Sequence, residues 1–204
     1  MSTVDQSPRC ACGSLGHFVH QGKPVCRTCF RLAKMPEALT KRNVPPIYHT
    51  ANLKDFGTKF PTDKPLFIMG DVGTGKTHLA VALLVHELMM GNHECAFVSM
   101  VRLLSEIKDT FNNASHQTEA QVIKKYSEID TLVIDDIGVE KVSDWTLMVV
   151  YQIIDYRWSH GMHTIITSNL GLDGVADRLG DRIASRIGGL CTTIKMAGKD
   201  LRQG

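Results

Sequence analysis

The chain has 204 residues, of which 43% are hydrophobic and 22% are charged. This length is enough to bury one sizeable core and a small appendage, and the composition is ordinary for a globular protein. No apolar run approaches the roughly 20 residues that a membrane-spanning helix needs, and the N-terminal residues lack the apolar core of a signal peptide. We therefore expect a cytoplasmic protein with no membrane partner.

The formal net charge of +2 hides a difference between the two ends of the chain. Residues 1–60 contain nine Lys and Arg against three Asp and Glu, whereas the remaining residues contain fourteen against eighteen. A basic N-terminal part on a mildly acidic body indicates an acidic partner, either a nucleic acid or an acidic protein surface. A basic face that is simply solvated is the alternative.

Two close pairs of cysteines lie near the N-terminus, at Cys10, Cys12, Cys26 and Cys29. The stretch between the pairs is typical of a short hairpin that turns at residues 21–23. Two such pairs suit a tetrahedral Zn²⁺ site, and clustered cysteines in a reducing compartment favour metal over disulfides. Residues 1–35 are therefore predicted to form a zinc-binding, partner-recognition head that depends on the metal for folding. His17 or His20 in place of one cysteine, and surface thiols without metal, are the alternatives.

Residues 36–64 are rich in proline and are predicted to be a linker between the head and the rest of the chain. Pro45 and Pro46 are incompatible with a helix interior at their position. Tyr48 and Phe56 are the prominent apolar residues of this segment. They either pack near a nucleotide base or pin the linker to the core.

A glycine-rich stretch, G-D-V-G-T-G-K-T at residues 70–77, fits the phosphate-loop pattern at every fixed position. A strand is predicted before it and a helix after it, which is the context that the motif requires. Glycines let successive backbone N–H groups reach phosphate oxygens, and the helix N-terminus adds its positive dipole end. The lysine of this pattern reaches the β- and γ-phosphates, and the threonine hydroxyl ligates Mg²⁺. The residues predicted to contact ATP are Asp71, Val72, Gly73, Thr74, Gly75, Lys76, Thr77 and His78.

Strands and helices alternate along the rest of the chain. The predicted strands cover residues 66–69, 95–99, 131–135, 163–168 and 191–196. The predicted helices cover residues 76–90, 101–113, 118–126, 143–159, 172–178 and 180–187. This alternation predicts an α/β domain over residues 65–204, with a parallel five-stranded sheet and helices on both faces.

Two of these strands end in polar side chains that suit phosphate chemistry. Asp135 and Asp136 follow one apolar strand, and Asn169 follows the next. A carboxylate at a strand end lies beside the phosphate loop of a neighbouring strand. Asp135 is predicted to hold Mg²⁺ through water, Asp136 to polarise the attacking water, and Asn169 to hold that water or sense the γ-phosphate. Asn169 as a simple turn cap is the alternative. The alternative for residues 70–77 is a glycine turn that precedes a helix by chance. The pair of aspartates at the end of a later strand disfavours that alternative.

Arg182 and Arg186 lie four residues apart in the stretch G-D-R-I-A-S-R-I, on one face of a predicted helix. An arginine from a neighbouring subunit can neutralise the charge that develops during ATP hydrolysis. A surface pair held in local ion pairs is the alternative.

Together, the motifs G-D-V-G-T-G-K-T, L-V-I-D-D, T-S-N and G-D-R-I-A-S-R-I resemble the AAA+ ATPases of the DnaC/DnaI helicase-loader and IstB group over residues 44–204. The resemblance implies a P-loop AAA+ fold, catalysis by Lys76 with Mg²⁺, and an ATP-dependent homo-oligomer. Asp135 matches the group's Mg²⁺-associated acid, Asn169 its first sensor and Arg186 its arginine finger.

Residues 101–111 match the extra helix of this group, which the resemblance assigns to single-stranded DNA. Arg102 and Lys108 supply its positive charge, although its apolar spacing also fits core packing. Asp136 stands where many AAA+ proteins have Glu, which implies slow hydrolysis that DNA or a partner stimulates. About eight residues follow the last predicted strand, so we expect no C-terminal helical lid.

The cysteine-bearing head resembles that of DnaI-type loaders and implies a hexameric replicative helicase as partner. The first hypothesis is therefore an ATPase that loads this helicase onto single-stranded DNA. The second is an IstB-like transposition ATPase that recruits a transposase to duplex DNA. The third is a small-molecule P-loop kinase, which would need an acceptor pocket and usually an arginine-bearing lid.

Overall fold

The computed structural model describes the chain over residues 8–57, 60–111, 117–138 and 143–198. The N-terminal part contains a small antiparallel hairpin of β1 (Phe18–His20) and β2 (Lys23–Val25). The helix α1 (Arg27–Lys41) follows, and the Cys26 sulfur caps it by accepting a hydrogen bond from the backbone N–H of Cys29. The predicted hairpin between the two cysteine pairs is confirmed.

The helix α1 does not end where the head was predicted to end. It continues through Pro36 to Lys41, so the predicted boundary between residues 35 and 36 lies inside a helix and is wrong. Proline removes one hydrogen bond from a helix interior, which is why it indicated a boundary. Burial of Met35 and Leu39 in the main core outweighs that loss.

The segment predicted as a linker forms a layer on the core. It contains two short 3₁₀ helices, Pro46–Tyr48 and Leu53–Phe56. Ala51 is buried, and the Tyr48 and Phe56 side chains pack against the same core cluster as α1. The segment thus lies on the domain, as expected if Tyr48 and Phe56 pin it to the core, because apolar residues spaced along it gain burial there.

Five parallel strands form the main sheet and confirm the predicted α/β fold. They are β3 (Leu66–Gly70), β4 (Cys95–Ser99), β5 (Thr131–Asp135), β6 (His163–Ser168) and β7 (Thr192–Met196). Their spatial order is β4-β5-β6-β3-β7. Ile165 of β6 pairs with Leu66 on one side and with Val133 on the other. The carboxyl end of β6 therefore lies between the phosphate loop after β3 and the aspartates after β5.

Helices cover both faces of this sheet, as predicted. After α1 they are α2 (Lys76–Met90), α3 (Met100–Asp109), α4 (Glu119–Glu128), α5 (Asp144–Ser159), α6 (Leu172–Leu179) and α7 (Asp181–Leu190). Successive side chains of β3 point to opposite faces. Leu66 and Ile68 join a cluster with α1 and α2, whereas Phe67 joins a cluster with α3 to α7.

Two predictions concern the limits of these elements. The helix predicted over residues 101–113 ends at Asp109, and residues 112–116 lie outside the described ranges. The expected absence of a C-terminal lid concerns the residues after Gly198, which also lie outside them. Within the described ranges, no helix is both long enough and apolar enough to cross a membrane.

Arg157 of α5 is a fully buried cation that forms no salt bridge within the described part of the chain. Its guanidinium donates hydrogen bonds to the hydroxyl of Thr164 and to the backbone carbonyls of Tyr126, Ser127, Ile129, Asp130 and His163. Burial lowers its pKa to about 10, so Arg157 stays charged at neutral pH. It therefore fastens the end of α4 to the starts of β5 and β6.

Candidate functional site

The phosphate-loop stretch connects β3 to α2 at the carboxyl edge of the sheet. Gly70 has no room for a side chain, because a Cβ there would lie 2.2 Å from the carbonyl oxygen of Met196. Gly75 caps α2 with a φ of 88°, a conformation that glycine adopts at no steric cost. Both positions need glycine for the chain to turn from this strand into this helix.

Lys76 places a positive charge at the start of α2. Its side chain is buried, and its Nζ donates to the carbonyl oxygens of Gly70 at 2.8 Å and Asp71 at 2.7 Å. The N-terminal end of α2 carries the positive end of the helix dipole. Together these groups suit the binding of a polyphosphate.

A cavity of about 580 Å³ opens at this loop. Six of the eight residues predicted to contact ATP line it, namely Val72, Gly73, Gly75, Lys76, Thr77 and His78. Asp71 and Thr74 do not line it. The Thr74 hydroxyl donates to the Asp71 carbonyl oxygen at 2.8 Å and closes the loop on itself.

The predicted acidic residues and Asn169 line the same cavity. The amide of Asn169 donates to Oδ1 of Asp136 at 2.9 Å, so it does more than cap a turn. Burial raises the pKa of the Asp135 carboxyl, and hydrogen bonds from Thr167 and Thr77 oppose this rise. Thr77 and Asp135 thus lie within reach of each other, and hydroxyl and carboxylate oxygens are suitable ligands for Mg²⁺ or for its bound water.

Thr167 is a residue of this site that sequence reasoning did not single out. Its hydroxyl donates to Oδ1 of Asp135 at 2.7 Å and accepts from the backbone N–H of Asp136 at 2.8 Å. Asp136 has a φ of 62°, a left-handed conformation that few residues other than Gly, Asn and Asp adopt. Thr167 therefore positions both aspartates. The T-S-N motif contains it, but its role becomes visible only once β6 lies beside β5.

The layer that precedes β3 supplies an apolar wall. Ile47, Tyr48 and Phe56 line the cavity, and the ring centroids of Phe56 and His78 lie 5.6 Å apart. Nε2 of His78 lies 3.0 Å from Oδ2 of Asp55, and this hydrogen bond lowers the pKa of Asp55. Tyr48 and Phe56 both pack on the core and line the cavity, so the two alternatives for them are not exclusive. Flat apolar side chains of this kind suit a nucleotide base.

Comparison with protein families gives this geometry a context. The family described as "IstB-like ATP binding protein" matches residues 56–202 of the chain. The chain belongs to this family. Its curated relatives include the "Replicative helicase loader DnaC" of Buchnera aphidicola subsp. Baizongia pistaciae, 34% identical over 135 residues, which are 66% of this chain and 54% of the relative. DnaC of Escherichia coli K12 is 35% identical over 118 residues, which are 58% of this chain and 47% of the relative. The IstB-like chain thus spans about half the length of the curated relatives it matches.

Solved structures of similar proteins confirm the predicted group. A structure titled "Crystal Structure of the DnaI" has a TM-score of 0.62 and 25% identity, covering 75% of this chain and 94% of that one. A crystal structure of the DnaC helicase loader has a TM-score of 0.58 and 28% identity, covering 79% and 89%. The IstB-like chain is therefore an AAA+ protein of the DnaC, DnaI and IstB group.

Arg186 of the IstB-like chain lies on α7, and it does not line the cavity of its own chain. Its Nε donates to Oδ1 of Asp155 at 2.6 Å, which raises its pKa, and its guanidinium lies 3.8 Å from the centroid of the Trp158 ring. Gly189 makes room for that ring, because a Cβ there would lie 2.9 Å from Trp158 Nε1. Arg182 is exposed one turn earlier. The local ion pair is therefore present, and action on a neighbouring subunit stays a prediction.

The helix predicted to bind DNA contributes mainly to the core. Ile107 and two leucines of α3 are buried, as the apolar spacing indicated. Arg102 donates to Oε1 of Glu106 at 3.0 Å, and Glu106 also accepts from the Tyr126 hydroxyl at 2.7 Å. Lys108 is exposed. Binding of DNA by Arg102 and Lys108 stays a prediction. To contact a DNA phosphate, Arg102 would have to break its ion pair with Glu106.

The four N-terminal cysteines lie together in the IstB-like chain. All their sulfurs lie within 4.8 Å of one another, and those of Cys12 and Cys26 are 3.6 Å apart. Sulfurs at the corners of a tetrahedron around zinc lie about 3.8 Å apart, given a zinc–sulfur distance of about 2.3 Å. The group found in the described residues contains neither His17 nor His20. The donor set fits Zn²⁺, with four thiolates as ligands.

Two thiols of this cluster have pKa values that are shifted in opposite directions. Hydrogen bonds from Ser14 lower the pKa of Cys12 to about 6. A hydrogen bond with Cys10 and further ones with the other sulfurs raise the pKa of Cys29 to about 12. Ionising all four thiols together needs a cation among them, and zinc would supply that charge.

Proposed function

We propose that this chain is an ATP-hydrolysing helicase loader, which places a hexameric replicative helicase on single-stranded DNA. The observation that supports it best is the convergence of three strand ends, with Lys76, Asp135, Asp136 and Asn169, on one cavity in a chain whose curated relatives are named replicative helicase loaders. The chain would form an ATP-dependent homo-oligomer, because Arg186 lies away from the cavity of its own chain.

Each residue of the site has a distinct task in this proposal. Backbone N–H groups of the loop and Lys76 bind the phosphates. Thr77 and Asp135 would hold Mg²⁺, and that ion would supply positive charge beside the phosphates. Asp136 orients the attacking water and accepts its proton. Asn169 occupies one oxygen of Asp136 and leaves the other for that water.

The rate of hydrolysis is expected to be low without DNA or a partner. The carboxylate of Asp136 lies one methylene closer to the backbone than a glutamate would place it. Its backbone N–H is held by Thr167 and its Oδ1 accepts a hydrogen bond from Asn169, so the carboxylate has little freedom to move outward. Binding of DNA or helicase would then speed hydrolysis by adjusting how neighbouring subunits meet at Arg186.

The cysteine cluster favours the loader over the transposition ATPase, because a cysteine-bearing head of this kind resembles that of DnaI-type loaders. A zinc-bearing head is the part we propose to recognise the helicase, whereas Arg102 and Lys108 are the proposed contacts with single-stranded DNA. The transposition ATPase remains a second candidate because the matching family is described as IstB-like. Membership of this family, together with curated relatives named replicative helicase loaders, favours both candidates over the kinase alternative.

Two measurements test this proposal. Fluorescence anisotropy with single and double strands of equal length, in the presence of ATP, is expected to show preference for the single strand and weaker binding at higher salt. The full chain is expected to bind the replicative helicase of the same organism and to help it unwind a forked duplex. A clear preference for duplex DNA, without helicase binding, would favour the transposition ATPase.

A further inference from the structure

A second concave surface lies where the N-terminal head meets α2, and the nucleotide site does not use it. This junction groove has a volume of about 320 Å³. Its apolar lining comes from both sides of the junction: Phe18, Phe30, Met35 and Ala38 from the head and α1, and Leu88 from α2. The Phe18 and Phe30 rings stack with centroids 4.9 Å apart, yet 41% of Phe18 stays exposed. The groove thus keeps apolar surface in contact with water.

All the charged or titratable residues that line the junction groove are basic: Arg27, Arg31, Lys34 and His93. Arg31 donates to the carbonyl oxygen of Met89, which fixes its guanidinium at the end of α2. Lys34 pairs with Glu37, which does not line the groove. Arg27 is exposed. The rim therefore presents net positive charge around an apolar floor.

We infer that the junction groove binds an acidic segment of a protein partner, with an apolar side chain of that segment inserted between Phe30, Met35 and Leu88. The positive rim complements acidic side chains, and the apolar floor supplies the buried contact that carries most binding energy. The volume is near the lower end of that of ligand sites, so it suits one or two side chains of a peptide. The identity of the partner rests on the proposed function, which makes it the hexameric helicase.

A nucleic acid fits this groove less well. Proteins that bind single strands offer free aromatic faces on which bases stack, along a row of cations that follows the phosphates. Here Phe18 and Phe30 stack on each other, and the remainder of the floor is aliphatic. An acidic segment uses both the apolar floor and the rim charges.

Two groove variants with matched controls test the inference. Ala38→Glu puts a negative charge into the floor, and its control is Ala33→Glu, an exposed position on α1 outside the groove. Arg27→Glu reverses a rim charge, and its control is Lys23→Glu, an exposed position on β2. Zinc content and binding of an ATP analogue show whether each variant is folded.

The affinity of each full-length variant for the replicative helicase of the same organism is measured by biolayer interferometry. Both groove variants are expected to weaken binding about tenfold or more, since Ala38→Glu puts a charge into the apolar floor and Arg27→Glu sets a like charge against the acidic segment. Both controls are expected to bind like the unaltered chain. In addition, p-benzoylphenylalanine placed at Phe18 is expected to cross-link to an acidic stretch of the helicase.

Other results would overturn the inference in distinguishable ways. If the unaltered chain binds helicase and folded groove variants bind equally well, the groove is not the docking site, although the proposed function stands. If the controls weaken binding as much as the groove variants, the contact is spread over the head. If the groove variants lose single-stranded DNA and keep helicase, the groove belongs to nucleic acid. If the unaltered chain does not bind helicase, the proposed function fails and this assignment fails with it.

Discussion

Replacing Thr167 by valine tests whether this hydroxyl positions the two aspartates. Valine has nearly the same shape, and Thr167 is buried, so the substitution removes hydrogen bonds without opening a cavity. The backbone N–H of Asp136 loses its acceptor at 2.8 Å, and Asp135 loses a donor at 2.7 Å. An unpaired buried N–H costs about 1–3 kcal/mol, and this one is partly buried, so we expect the free energy of unfolding to fall by about 1–2 kcal/mol.

The effect of this change on ATP hydrolysis is expected to exceed its effect on nucleotide binding. Residues that orient a metal-binding or catalytic side chain typically contribute about 10- to 100-fold to activity. We therefore expect Thr167→Val to bind a fluorescent ATP analogue almost normally and to hydrolyse ATP at least about tenfold more slowly. The measurements are denaturant unfolding, analogue titration and phosphate release with DNA and helicase present.

Two further variants make this prediction decisive. Thr167→Ser keeps the hydroxyl and is expected to keep most of the hydrolysis. Thr193→Val makes the same chemical change at an exposed position of β7, and it is expected to alter neither stability nor hydrolysis. If Thr167→Val lowers stability but hydrolyses ATP as fast as the unaltered chain, Thr167 supports the fold and does not position the aspartates for catalysis.

Three other predictions address the remaining parts of the site. Lys76→Ala is expected to abolish binding of a fluorescent ATP analogue while the circular dichroism spectrum stays native; an undiminished affinity would refute the phosphate-binding role. Elemental analysis is expected to find about one zinc per chain, and chelation to make the head sensitive to protease; a metal-free head that resists protease would contradict this. Arg186→Ala is expected to bind ATP but hydrolyse it poorly, and mixing it with Lys76→Ala chains to restore part of the activity. If mixed assemblies form and stay inactive, Arg186 does not act between subunits.

Where local signals were strong, the sequence predicted the fold closely. The helix predicted over residues 76–90 matches α2. Gly75 and Gly91 lie at the two ends of its apolar run, and both adopt a positive φ, so they mark where the helix begins and ends. The strand predicted over residues 131–135 matches β5, because continuous apolar residues indicate a strand buried on both faces. Asp135, Asp136 and Asn169 were found by their positions at strand ends, which topology then brought together.

The features that sequence reasoning missed depend on contacts between distant segments. Pro36 indicated a helix end, yet burial of Met35 and Leu39 carries α1 past it. Thr167 lies inside an apolar strand, and nothing local separates it from other strand threonines. The contact between His78 and Asp55 joins residues that are far apart in the chain. Such roles follow from the order of the strands and from the packing of the layer before β3, which a single sequence does not specify.

Arg157 holds three segments together at the amino-terminal end of the sheet. A guanidinium offers five N–H donors in a rigid fork, so a lysine could not hold the same set of carbonyls together. This cluster lies at the amino-terminal ends of β5 and β6, about 16 Å along the strands from the residues that line the phosphate-loop cavity, at about 3.3 Å per residue. We therefore expect the amino-terminal ends of β5 and β6 to keep their place beside α4 when nucleotide binds at the carboxyl ends. A substitution at Arg157 is for this reason expected to impair folding before it affects any step of the ATP cycle.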